Sequence, residues 1–176
     1  MIASTGLPDL MIQVTDVDTL NRLQPDMEAV RAITEKHNAV SFHVFAFGND
    51  GHTAHVRDFA PLYGIPEESA TGTANAALTH YLQQNGCILA AGDFSFLQGE
   101  AMGRPSVVAT RVTADGVIYV GGTAEVVAEE GIMATSMIPP NTTAWPSSTC
   151  PKIGSARGAG RGRRSSIGLT LYYVHI

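Results

Sequence analysis

Short apolar runs and helical periodicities alternate along the first three quarters of the chain. "LMIQVT" at 10–15 is an apolar run rich in β-formers, and in "DVDTLNRL" after it either Asp16 or Asp18 can cap a short helix. After Pro25, "DMEAVRAITEKH" sets Met27, Val30 and Ile33 on one helical face with Thr34 at its edge, and Glu28, Arg31 and Glu35 on the other, which predicts an amphipathic covering helix. "VSFHVFAF" (40–47) and "HTAHVRDF" (52–59) read as strands joined by the turn residues "GNDG", a hairpin. Residues 60–69 contain Pro61, Gly64 and Pro66 and read as a loop. "TANAALTHYLQQNG" has helix formers throughout and Gly86 placed to stop it. Small and apolar positions at Ala74, Ala76, Ala77, Leu78, Tyr81 and Leu82 nearly encircle that helix, so it should be packed on most sides.

From 95 to about 128 the pattern predicts consecutive strands, "SFLQGE", "SVVATRVT" and "VIYVGGTAEVV", with "ADG" as a tight hairpin turn. The expected class is α+β, mostly antiparallel strands around one buried helix. Beyond Met133 the chain is rich in Ser, Thr, Pro, Gly and Arg and shows neither period, so 132–176 reads as a disordered tail. "LTLYYVHI" at its end has strand character but no evident partner.

Length and composition narrow this only a little. A chain of 176 residues makes one ordinary domain or one lobe of a two-lobe protein, and 44% apolar with 15% charged residues is a globular profile. "MIASTGLPDLMIQV" has no basic n-region, and no run reaches the length of a membrane span, which predicts a cytoplasmic protein with no membrane partner. Cys87 and Cys150 belong to no CxxC pair and read as inert thiols. Residues 1–150 hold 6 basic and 16 acidic residues, whereas 151–176 hold 5 basic and none acidic. An acidic body argues against nucleic acid as a partner, and "GAGRGRR" has too few charges and no interleaved aromatics.

"EESATGTANAAL" (67–78) is the stretch with chemistry. The first turn of a helix has amides without intrahelical partners and the positive end of the dipole, so Gly72 and Thr73 at its head suit a carboxylate or phosphate. Glu67 and Glu68 would repel that anion unless one meets a different part of the ligand, where it can donate or accept a proton. The same residues are also ordinary caps and dipole partners. His52 and His55 in "HTAH" would point to opposite faces of a strand and share no metal ion. His80 reads as a packed or solvent-edge histidine, and Gly121–Gly122 as a bulge or a close-packing point.

Taken together, "VRDFAPLYGIPEESATGTANAALTHYL", "LQGEAMGRPS" and "IYVGGTAEVV", with "ASTGLPDLMIQV" before them, resemble the C-terminal half of the PhzF-like phenazine biosynthesis family over residues 1–131. The resemblance implies one lobe of a diaminopimelate epimerase-like fold, a sheet curled around a central helix beginning near Thr73, with the active site in the cleft between two lobes. The family's usual string is Glu-Asp-Pro-Ala-Thr-Gly-Ser-Ala, so Glu68 stands for the Asp, Thr73 for the Ser and Ser69 for the Pro. Glu68 and Thr73 are thereby the implied catalytic residues, and Thr71, Gly72, Thr73 and Ala74 the implied carboxylate-binding residues. Arg57 is implied near the cleft, Arg104 as structural, and Gly6 as approaching the cleft. The implied reaction is an isomerisation that shifts a proton and a double bond in a hydroxylated ring carboxylic acid, with no metal or organic cofactor. Its general base, a Glu, and a Gly-His pair are expected from a first lobe that this sequence does not contain. The alternatives are a non-catalytic binding or dimerising lobe, or a fragment from a truncated reading frame. The expected partners are a small carboxylic acid and a second copy or a complementary lobe.

Overall fold

A computed structural model describes residues 1–123 and the backbone of 171–175. The chain begins with β1 (Ile2–Ser4) and β2 (Pro8–Gln13), an antiparallel pair that turns at Gly6, whose φ of +132° favours glycine. β2 runs parallel to β3 (Phe42–Ala46), so the chain must cross over one face of the sheet between them, and it does so through α1 (Val17–Arg22) and α2 (Met27–Lys36). Asp16, not Asp18, caps α1, accepting the Thr19 amide at 2.6 Å. Asp26 caps α2. α2 buries Val30 and Thr34 while Ile33 stays 41% exposed, so the buried stripe is narrower and rotated from the expected one. Thr34 can occupy it because its hydroxyl donates to Val30 O at 3.0 Å within the helix.

β3 and β4 (Ala54–Ala60) form the expected hairpin. β4 is buried along its whole length, flanked by β3 and by the parallel β6 (Gly92–Gln98). The stretch read as a loop at 60–69 is more ordered than that. A 3-10 turn at Pro61–Tyr63 ends at Gly64 (φ +77°), and β5 (Ile65–Glu68) then pairs back on β4. Four residues including a Pro carry no local strand signal, and β5 exists because β4 offers it a partner.

α3 (Gly72–Gln84) is the central helix. It stops where Gly86 adopts φ +68°, with Gly86 N donating to Gln83 O and Cys87 N to Leu82 O, both at 2.9 Å, a Schellman motif. β7 (Ser106–Val112) and β8 (Ile118–Thr123) continue the sheet antiparallel. α3 touches β1 and β2 at one end of the sheet and β7 and β8 at the other, so the sheet curls around it. Alternation along the strands then makes two cores. Met11, Phe45, Val56, Leu78, Leu82 and Phe96 fill the α3 side, and Leu20, Val30, Val44, Ala46 and Phe59 fill the α1–α2 side.

The C-terminal strand has a partner after all. β9 (Leu171–His175) pairs antiparallel with β8, from Tyr119↔His175 to Thr123↔Leu171. A strand's partner is set by the edge the fold leaves open, and β8 is that edge. Gly121 and Gly122 lie in regular register within β8, with no bulge between them. The remainder of the predicted tail, the end of the 117–127 strand and Cys150 lie outside the described residues. Among the described residues no helix is long and apolar enough to cross a membrane.

Candidate functional site

The site is built where β5 hands the chain to α3. In β4, Arg57 and Asp58 project to opposite faces, and in β5 the neighbouring glutamates follow the same alternation. Glu67 meets Arg57 in a bidentate pair, both contacts at 2.8 Å. Arg57 also donates to the carbonyls of Leu20 (3.0 Å) and Leu23 (2.9 Å) at the end of α1, and its guanidinium lies over the Phe59 ring. Glu68, opposite Asp58 in the ladder, turns to the other face.

Thr71 occupies the N-cap position of α3 but its side chain does not cap the helix. Its hydroxyl lies between two acids, 3.1 Å from Asp58 Oδ2 and 3.3 Å from Glu68 Oε2. The fully buried Gln98 holds it there. Gln98 Nε2 donates to Thr71 Oγ1 (2.9 Å) and Glu68 O (2.7 Å), while its Oε1 accepts from Thr71 N (3.1 Å) and Asn75 Nδ2 (2.9 Å). With all four of its hydrogen bonds used, Gln98 has one possible orientation. With Thr71 so engaged, no side chain caps the first turn of α3, and its amides remain available to an anion.

In front of this turn lies a cavity of about 330 Å³, with Asp9, Asp58, Glu68, Thr71 and Thr73 in its wall and Leu7, Tyr63 and Ile65 among its apolar residues. The last three are 48%, 60% and 40% exposed, so its rim is apolar. Asp9 is the unusual group. Burial pushes its pKa up to about 6, the Ser41 hydroxyl acting against this and the Asp58 charge with it. Ser41 Oγ stands 2.9 Å from Asp9 Oδ1 and 2.6 Å from Asp58 Oδ1. The buried His43 places Nδ1 3.1 Å from Asp58 Oδ1 and Nε2 3.4 Å from Asn75 Oδ1.

Of the residues expected at the site, Glu68, Thr71 and Thr73 come together in the cavity wall. Ala74 is buried in the lobe and is not part of that wall. Arg57 lies on the other face of the sheet with all three of its guanidinium nitrogens engaged, so it is not brought to the cavity, because strand alternation sends it to α1. Gly72 has a packing reason that the sequence does not show: a Cβ there would sit 3.2 Å from Val120 Cγ1 of β8. Next to Gly6, Leu7 does line the cavity, and Thr5 ties this turn to α3 by donating to Thr73 O at 3.2 Å. Arg104 is exposed, and its main chain closes a turn by donating to Gly99 O at 3.0 Å.

The strand argument about His52 and His55 does not apply, since β4 begins only at Ala54 and the two rings meet edge to face at 6.2 Å. His55 is instead held between Asp50 (3.1 Å) and Glu100 (2.5 Å). His80 and Cys87 are both exposed. Asp9, Ser41, His43, Asp58, Asn75 and Gln98 were not singled out by sequence reasoning. The available signal was polar residues inside strand-like runs, "LPDLMIQV", "SFHVFAF" and "VRDFA".

Residues 1–130 match the family model described as phenazine biosynthesis-like protein. An uncharacterised isomerase of Deinococcus radiodurans is 34% identical over 131 residues, covering 70% of this chain and 42% of the relative. An uncharacterised isomerase of Schizosaccharomyces pombe is 30% identical, covering 66% of this chain and 67% of the relative. A trans-2,3-dihydro-3-hydroxyanthranilate isomerase of Pseudomonas chlororaphis is 36% identical over 91 residues, covering 49% of this chain and 33% of the relative. Among solved structures, a predicted epimerase of Pseudomonas aeruginosa superposes with a TM-score of 0.54 at 31% identity, covering 72% of this chain and 44% of the other. A phenazine biosynthesis protein of the PhzF family from Bacillus anthracis gives 0.55 at 25% identity, covering 62% and 38%. The chain spans about two fifths of the length of the first curated relatives it matches. With the model match, the relatives and the curled sheet around α3 in agreement, the chain belongs to the phenazine biosynthesis-like family.

Proposed function

We propose that this chain is the carboxylate-binding lobe of an isomerase that shifts a proton within a small hydroxylated ring carboxylic acid, without metal or organic cofactor. The substrate carboxylate sits on the first-turn amides of α3, Thr73 adds a hydroxyl beside it, and Glu68 exchanges the proton. The supporting observation is the uncapped first turn of α3 opening on a cavity whose wall holds Glu68, Thr71 and Thr73. The relatives support the reaction class, one bearing the name of an isomerase of trans-2,3-dihydro-3-hydroxyanthranilate. Turnover on this reading requires a second wall that excludes water and brings a base opposite Glu68.

A second reading, a non-catalytic lobe that binds ligand or dimerises, is favoured by the exposed apolar rim of Leu7, Tyr63 and Ile65. One experiment separates the two. The purified chain is titrated with 3-hydroxyanthranilate in a two-dimensional amide NMR spectrum, and exchange of the saturated ring C–H of trans-2,3-dihydro-3-hydroxyanthranilate with deuterated solvent is followed in parallel. The isomerase reading expects shifts centred on Gly72, Thr73 and Ala74, and hydrogen exchange once the complementary lobe is added. Shifts without exchange under that condition leave the binding lobe. A dispersed spectrum with no response removes both the anion cradle and the isomerase reading.

A further inference from the structure

Three acids around the cavity, Asp9, Asp58 and Glu68, are joined in series by two hydroxyls. Ser41 bridges Asp9 to Asp58, and Thr71 bridges Asp58 to Glu68. Each hydroxyl has one hydrogen and faces two carboxyl oxygens. Four contacts therefore meet two hydroxyl hydrogens, and the other two contacts must be supplied by protons on the acids or remain as lone pairs facing each other. Asp58 gathers donors, with Ser41 and His43 at Oδ1 and Thr71 at Oδ2. Asp9 does not. Its Oδ2 is the only buried side-chain polar atom without a hydrogen-bond partner among the described residues, and Asp9 is 2% exposed in the cavity wall. An ionised carboxylate with an unpartnered buried oxygen is costly, and a proton removes that cost.

We propose that Asp9, Ser41, Asp58, Thr71 and Glu68 form one proton-sharing chain, in which Asp9 holds a proton in the lobe interior and Glu68 presents it at the cavity. Asp9 is a positioning residue here, acting on the ligand only through Glu68. With Asp9 neutral, its O–H donates to Ser41 and Ser41 donates to Asp58 Oδ1. Asp9's proton passes to Ser41 as Ser41's passes to Asp58, which leaves Asp9 negative and Asp58 neutral. After a turn of the Asp58 carboxyl, the same exchange through Thr71 leaves Asp58 negative and Glu68 neutral. The net result is one proton carried from Asp9 to Glu68, with each hydroxyl having exchanged its hydrogen for another and no heavy-atom bond made or broken. The raised pKa of Asp9, about 6, means that it keeps its proton to a higher pH than an ordinary carboxyl does. The titratable groups around Asp9 and its cavity are His43 on β3, Asp58 on β4, Tyr63 in the 3-10 turn and Glu68 on β5; β1 at Ile2–Ser4 and the first turn of α3 contribute none. The inference takes from the proposed function only that Glu68 exchanges its proton with a ligand.

The test needs no ligand. Side-chain carboxyl carbons of the full chain are followed by NMR from about pH 4 to about pH 8, a range that spans the ordinary carboxyl and histidine transitions. The Glu68 carbon is expected to show two inflections, one at the Asp9 midpoint, because interacting sites titrate as a set. Asp9→Asn should remove that inflection, and Ser41→Ala should remove it from Glu68 while Asp9 still titrates. A single Glu68 inflection in the unaltered chain, unchanged in Ser41→Ala, overturns the proposal, and these two measurements decide it even if Asp9→Asn does not fold. Because ring-acid binding is scored separately, loss of the isomerase reading and loss of the proton chain give different results.

Discussion

Glu67 and Glu68 are adjacent in the chain, yet their carboxylates lie on opposite faces of the sheet. Glu67 is committed to Arg57, and Glu68 faces the cavity beside Thr71. Two acids ahead of the first turn of α3 therefore do not act together. The first is a strut and the second belongs to the site.

The strut has a measurable consequence. Arg57→Met leaves the Glu67 carboxylate, whose side chain is 14% exposed, without its partner and takes donors from the end of α1. The expected loss is about 3 kcal/mol in urea unfolding. Arg57→Met with Glu67→Met together should recover much of it, since apolar pairs of similar volume replace buried ion pairs well. Equal stability of the single and unaltered chains would sink the assignment of Arg57 as a strut.

Gln98 is the residue whose loss should most disturb the head of α3. Gln98→Leu keeps the volume but strands Thr71 N without its acceptor and Glu68 O without its donor, and leaves Asn75 Nδ2 only its bond to Thr71 O. Each stranded buried group costs about 1–3 kcal/mol, so we expect a loss on the order of 3 kcal/mol or more, with amide shifts spreading from 68 to 75. Shifts confined to β6 would show that the two segments are not coupled through this side chain.

His55 should make stability depend on pH. Burial acts to lower its pKa, but the carboxylates of Glu100 and Asp50 outweigh burial and raise it above the ordinary 6.5. A histidine with a raised folded-state pKa binds its proton more tightly when folded. Its contribution is thus fully present below about pH 6.5 and is lost as pH rises through the folded-state value. Guanidinium unfolding of the unaltered chain and of His55→Gln should show a gap that closes with rising pH. A gap that widens would reverse the sign.

Gly72→Ala should destabilise, although alanine in place of glycine ordinarily favours a helix by about 0.5–1 kcal/mol. The new methyl would meet Val120 Cγ1 at 3.2 Å, tighter than most packed contacts, so the Val120 side chain on β8 must give way by a few tenths of an ångström. Adding Val120→Ala should restore part of the lost melting temperature. A stabilised single variant would instead mean that β8 yields at this point.

Much of the lobe was legible in local pattern. The periodicity of 27–36, the small-residue girth of 74–82, the apolar run at 42–46 and the alternating run at 106–112 each carry their own signal, because burial of a helix stripe or of one or both strand faces is written in local spacing. That Glu68, Thr71 and Thr73 share one place was legible because the head of a helix is a local device, and its residues are contiguous in sequence. Tertiary structure decided the rest. β5 and β9 exist as strands only because β4 and β8 offer them edges, and an edge is made by residues distant in the chain. Strand alternation, once the pairing is fixed, sent Arg57 to α1 and Asp58 to the cavity. The Asp9, Ser41, Asp58 and Gln98 cluster could not be read from spacing, because its members come from β2, the approach to β3, β4 and β6 and meet only when the sheet has closed around α3.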